Sequence, residues 1–202
     1  MIKVEMLTQN PYYILKDSNM ITLGKRAKKE KCVGEYVMYP GNDIVNEEAT
    51  RELWEKRYEY FRKCFLAEHS TIETLTFRII DDNARGDVVS QIVRATKGLP
   101  RYQVQSRRPD WNEGAKRLSP DEDFKMFASE WNPLSFMQMC RQRLCVNAMK
   151  ETRIWVRAVL KEMSLTGDEF FVALAECCIS QCEYRGNRCY ELKPCGMCEV
   201  AE

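Results

Sequence analysis

The chain has 202 residues, 45% apolar and 30% charged, with 31 Lys and Arg against 30 Asp and Glu. That length and balance suit one large domain with a real core and exclude a compositionally disordered chain. A formal net charge of +1 excludes a protein whose whole surface is a nucleic-acid footprint. No apolar run approaches the ~18 residues that a membrane-spanning helix needs. The opening "MIKVEMLTQNPYY" has no charged-then-apolar leader, so the expectation is a soluble, cytoplasmic protein with no membrane partner. Its ten cysteines are then expected as reduced thiols or metal ligands.

In chain order, "IKVEML" alternates as a first strand. The basic run "GKRAKKEKC" (24–32), with the turn region "YPGND" after it, reads as a solvated surface loop. From Asn46 to Ala67, Leu53, Trp54, Tyr58, Phe61 and Phe65 form an apolar stripe at helical steps. "TLTFRII" (74–80) alternates Leu75, Phe77 and Ile79 with polar residues, which predicts a half-buried strand. Asn83 is positioned to cap a helix running through Arg94 and ended by Gly98. On that helix Asp87, Gln91 and Arg94 share a polar face, opposite Val88, Val89, Ile92 and Val93.

"SPDED" (119–123) predicts a helix start, with Ser119 as cap, Pro120 in the first position and Glu122 completing a capping box. "NPLSF" predicts another, with Asn132 as cap and an unbroken helix to Met163, about eight turns. Phe136, Cys140, Leu144, Ala148, Thr152 and Trp155 would mark its buried side. Beside them Arg143, Asn147 and Glu151 form a polar line that suits either a structural network or a site. A short helix with Phe170, Phe171, Leu174 and Ala175 follows "SLTGDEF". The resulting division is a main domain over 1–176 and a Cys-rich tail over 177–202, with no internal repeat.

The stretch "RATKGLPRYQVQSRRPDW" (94–111) carries Arg94, Lys97, Arg101, Arg107 and Arg108 before its first acid, Asp110. Arginine forks match phosphate oxygens in two-point contacts, and a serine hydroxyl adds a further donor. If "QSRRP" is extended, Ser106 and Arg108 project to one face and could grip a phosphate between them. A charged surface strand fits the same residues. No dinucleotide or Walker loop and no nucleophile elbow is present.

Three blocks, "AEHSTIETLTFRI", "QIVRATKGLPRYQVQSRRPDW" and "RQRLCVNAMKETR", resemble in order and separation the flavin-dependent thymidylate synthases, in a divergent form of phage or prophage type. The resemblance covers roughly residues 60–160 and extends into the tail. It implies an α/β fold with a mixed, partly antiparallel sheet and long packed helices. It also implies a homotetramer that binds FAD, methylenetetrahydrofolate, NADPH and dUMP and reductively methylates dUMP to dTMP, in the host cytoplasm if the gene is phage-borne.

By this resemblance Gln91, Arg94, Ser106, Arg108 and Arg143 hold the nucleotide, with Ser106 and Arg143 also nearest the chemistry. Arg94, Asn132, Gln138, Asn147, Glu68 and His69 fall where the family faces the flavin or the nucleotide pocket. Glu73 matches the acid of the first block, and Glu68 stands where that block has its first histidine. The family's Arg-His-Arg, seven residues, Ser-x-Arg becomes here Arg94-Ala95-Thr96, nine residues, Ser106-Arg107-Arg108. The nucleotide side is thus better retained than the flavin side. His69 also suits a hydrogen-bonded structural role.

In the tail, Cys182, Cys189, Cys195 and Cys198 supply enough thiolates for a closed tetrahedral zinc site, and reduced thiols or disulfides suit the same residues. "CEYRGNRCYELKPCG" also resembles the C-termini of phage-type members. Tyr184 and Arg185 suit either closure over a neighbouring site or local packing. Two rival functions fit the same residues. One is a related methylase or hydroxymethylase acting on another pyrimidine nucleotide such as dCMP. The other is a non-catalytic protein with a zinc tail that binds nucleotide or nucleic acid, against which the near-zero net charge counts.

Overall fold

The computed structural model describes residues 1–22, 47–95, 99–103 and 124–200. The basic run 24–32, the turn after it, and Ser106, Arg107, Arg108 and residues 119–123 lie outside the described residues.

A four-stranded sheet in the order β1-β2-β4-β3 organises the chain. β1 (Ile2–Met6) half-buries Ile2, Val4 and Met6 and exposes Lys3 and Glu5, the alternation its sequence predicts. It runs antiparallel to β2 (Phe77–Arg85), with Val4 opposite Ile79. β2 in turn pairs antiparallel with β4 (Phe124–Trp131), and β3 (Arg101–Gln103) pairs antiparallel with the other side of β4. The α/β class is as expected, and every pairing of this sheet is antiparallel. The parallel pairing lies in the tail, between β5 (Arg188–Cys189) and β6 (Glu199–Val200).

The helices are α1 (Pro11–Thr22), α2 (Glu47–Ala67), α3 (Gly86–Ala95) and α4 (Pro133–Arg143). They continue as α5 (Lys150–Leu165), α6 (Glu169–Cys177) and the single turn α7 (Gln181–Tyr184). The core lies where α2, α4, α5 and α6 meet the sheet face carrying Phe77, Ile79, Phe127 and Trp131. Its centre is aromatic: the Phe170 ring meets Phe61 and Phe65 edge-on at 5.4 Å each, and Phe77 meets Phe136 at 5.3 Å. Of the stripe predicted on α2, Phe61 and Phe65 reach this centre, whereas Leu53 is exposed.

Four sequence expectations are corrected. Residues 70–74 form a 3-10 helix, closed by a bond from Thr74 Oγ1 to the Thr71 carbonyl (2.7 Å), so the strand begins at Phe77 and not at Thr74. Asn83 caps no helix, because β2 continues through it to Arg85. The pairing passes from Asp81–Phe127 to Ala84–Lys125, so β2 carries one extra residue as a bulge. The buried Asp81 carboxylate holds that bulge by accepting from the Asn83 amide (3.1 Å) and from Trp155 Nε1 (2.8 Å). Third, no helix runs on from "SPDED", since residues 124–131 are a strand.

The fourth correction concerns the helix expected from Asn132 to Met163. It ends at Arg143 and restarts at Lys150. No Gly or Pro marks the break. Arg153 Nη1 gathers the carbonyls of Val146 and Ala148, which the helix would otherwise have used. Arg143, Asn147 and Glu151 therefore do not share one helix face. Cys140, Phe136, Thr152 and Trp155 are buried as expected, while Leu144 and Ala148, at the corner, are half-buried.

Candidate functional site

Two helix ends meet at one corner of the domain. α3 buries Val88, Val89 and Ile92 and leaves Gln91 half-buried and Arg94 exposed. Its start is fixed by Asp87, which takes a two-point contact from Arg85 (2.7 and 3.2 Å) and accepts from the Val88 amide. The Arg85 guanidinium holds the Asp87 carboxyl below the usual carboxylate range. α4 starts as its sequence predicts, with the Asn132 side chain accepting from the Ser135 amide at 2.8 Å and Pro133 in the first turn.

The last turn of α4 carries Arg141 and Arg143, about 200° apart around the helix. Arg141 is 8% exposed. It pairs with the Glu68 carboxylate, and its guanidinium carbon sits 3.6 Å from the centre of the Tyr184 ring. Arg143 turns the other way, toward α3, where Nη2 donates to the Gln91 carbonyl at 3.3 Å. Its Nε is buried with no hydrogen-bond partner among the described residues. Burial, together with the nearby Arg94 cation, pulls the Arg143 guanidinium below its ordinary value.

Arg57, Arg78, Arg85 and Arg141 each pair with a carboxylate. Arg94 and Arg143 form no ion pair with any described residue. Two neighbouring guanidiniums with an unused buried donor and no carboxylate are the chemistry of an anion site.

Of the residues the sequence singles out, Gln91, Arg94 and Arg143 come together at this corner, while Ser106 and Arg108 lie outside the described residues. Asn132 is engaged as the cap of α4. Gln138 is exposed on α4. Asn147, in the α4–α5 connection, donates to the Lys193 carbonyl of the tail at 2.7 Å. Glu68 has a positive φ of 50° and is engaged with Arg141. His69 is exposed at the entrance of the 3-10 helix and makes no side-chain cap bond, and Glu73 is exposed.

Cys182, Cys189, Cys195 and Cys198 are free thiols. Among the described residues no group of three or more His, Cys, Asp or Glu side chains stands ready to hold a metal, so the expected zinc set is not pre-assembled. Sequence reasoning missed Arg141 and Tyr184 as partners. The legible signal was the Arg-x-Arg at 141–143, whose two cations must face opposite ways on a helix. No described helix is long and apolar enough to cross a membrane.

The sequence matches no protein-family model and no curated protein. Its fold matches solved structures. One is the flavin-dependent thymidylate synthase ThyX from Helicobacter pylori complexed with FAD and dUMP, with TM-score 0.54 and 13% identity over 84% of this chain and 97% of that one. A second structure of that enzyme with FAD and dUMP gives TM-score 0.57 and 12% identity, over 88% and 99% of the two chains. The UMP/dUMP methylase PolB from Streptomyces cacaoi, bound with 5-Br dUMP, gives 0.53 and 11% over 87% and 95%. The chain therefore has the fold of flavin-dependent thymidylate synthases and of a related uridylate methylase.

Proposed function

We propose that this chain is a uridylate-modifying enzyme in which Arg143 and Arg94 take the nucleotide phosphate, with Gln91, Ser106 and Arg108 completing the pocket. Its reaction, on this reading, is flavin-dependent reductive methylation of dUMP to dTMP with methylenetetrahydrofolate and NADPH, in a homotetramer. The observation that carries it is the pair of cations at the α3–α4 corner, where a buried Arg143 Nε beside a second cation has no partner among the described residues. It is supported by the shared fold of proteins whose solved complexes hold dUMP or 5-Br dUMP.

The residues fit the phosphate well and the flavin incompletely. Glu68, Asn132 and Asn147 are already bonded within the protein. Among those the resemblance directs to the flavin, Gln138 and His69 remain exposed. FAD, when bound, would carry the reducing equivalents from NADPH to the one-carbon transfer. What this chain's own groups do is neutralise the phosphate and fix the pyrimidine's orientation, which lowers the entropic part of the barrier.

The test is the visible spectrum of protein reconstituted with FAD and washed, with and without dUMP. Retained flavin whose bands shift on adding dUMP supports the reading. Protein that retains dUMP but no flavin removes the flavin chemistry and leaves the nucleotide site. Because PolB is a UMP/dUMP methylase, UMP is the first alternative substrate to assay, with dCMP beside it.

A further inference from the structure

Residues 182–200 have almost no apolar core of their own. Tyr184, Tyr190, Leu192, Met197 and Val200 are all exposed, Leu192 fully so. The side chains of this stretch that are not exposed are four: Cys182 and Cys189 are buried, and Cys195 and Cys198 are half-buried. The tail has folded around its cysteines.

Its backbone brings them together. α7 ends in a turn where the Asn187 amide donates to the Cys182 carbonyl at 2.7 Å, with Gly186 and Asn187 both at positive φ. β5 then pairs with β6, placing Cys189 opposite Val200, two residues from Cys198. Cys195 and Cys198 flank a tight turn in which Gly196 has φ +77°, a conformation that favours glycine.

We infer that Cys182, Cys189, Cys195 and Cys198 form a structural tetrathiolate site for a zinc ion, which staples the tail. A disulfide joins two sulfurs, whereas here all four thiols of the tail are withdrawn from solvent and two of them flank a C-x-x-C turn, the donor number and type of a closed zinc site. The tail is too small to be held by burial of apolar surface, and segments of this size are commonly stapled by a metal or by disulfides. The ligands need not stand in coordination geometry beforehand, because such sites assemble as the ion binds and their thiol protons pass to solvent.

The site is independent of the nucleotide reading and needs neither flavin nor dUMP. The experiment uses the full chain, expressed with zinc, purified under reducing conditions and assayed for metal by mass spectrometry. Stripped full-length protein is then titrated with Co²⁺. The expected result is one zinc per chain and the thiolate-to-cobalt absorption of a four-sulfur site. Cys189→Ser and Cys198→Ser should abolish stoichiometric zinc, and Cys64→Ser, on α2, should retain it. The titration of the unsubstituted chain stands even if a variant folds poorly. The inference is overturned if the chain holds no zinc and gives no thiolate–cobalt band. It is equally overturned if both tail variants keep their zinc, or if peptide mapping finds these cysteines paired as disulfides.

Discussion

Replacing Arg143 by methionine separates a ligand-binding arginine from a helix-capping one, because the two roles predict opposite signs. Among the described residues Arg143 makes one long bond, 3.3 Å, to the Gln91 carbonyl, and at that length it contributes about 0.5–1.5 kcal/mol. Against that, its Nε is buried without a partner among the described residues, a state that costs roughly 1–3 kcal/mol, and Arg94 repels it. Arg143→Met should therefore leave thermal stability unchanged or raise it. A guanidinium–phosphate contact is worth about 1.5–3 kcal/mol and each ~1.4 kcal/mol is tenfold, so dUMP binding should weaken by roughly 10- to 150-fold. Scanning calorimetry reads the stability, and calorimetric titration with dUMP and with deoxyuridine, which lacks the phosphate, reads the affinity. Only the dUMP affinity should fall. A variant that melts earlier and binds dUMP as the parent does would refute the reasoning and make Arg143 a cap of α3.

Asp81→Ala leaves the buried Trp155 Nε1 without its acceptor and loosens the β2 bulge. A loss of about 1–3 kcal/mol in denaturant unfolding is expected. Phe170→Ala empties the aromatic centre between α2, β2 and α6 and should cost about 3–5 kcal/mol in the same measurement. Asp87 titrates below its ordinary value in the folded state because of Arg85. Its contribution is present above the unfolded pKa and lost as pH falls through the depressed one, so Asp87→Asn should lower stability near neutrality, leave it unchanged below the depressed pKa, and thereby flatten the acid limb of the stability profile. Tyr184→Ala removes the ring stacked on Arg141. Limited proteolysis should then cut at Arg185 and Arg188 faster than in the parent, with Tyr184→Phe restoring resistance.

How much of this was legible differs from element to element. The half-buried alternation of β1, the Phe61–Phe65 stripe of α2 and the Asn132-Pro133 start of α4 rest on local periodicity and local capping, so residues a few positions apart suffice to specify them. The same holds for the apolar face of α3, and hence for the shared polar face that brings Gln91 and Arg94 to the α3–α4 corner. The strand ending at Arg85 is not legible locally, because Asn83 suits a helix cap. It is the distant Trp155 that turns Asp81 into the anchor of a bulge.

The break between α4 and α5 has no local breaker either. Its carbonyls are collected by Arg153 and its Asn147 by the tail carbonyl of Lys193, partners that pattern reading cannot supply. The division of labour between Arg141 and Arg143 likewise depends on which groups the fold brings to each side of one helix turn: a carboxylate and a ring for the first, a carbonyl and a second cation for the second. Sequence alone thus determined the elements and the residue types available for an anion site. Tertiary packing decided which arginine a carboxylate neutralises and which meets none among the described residues, because ion pairing acts between groups far apart in the chain.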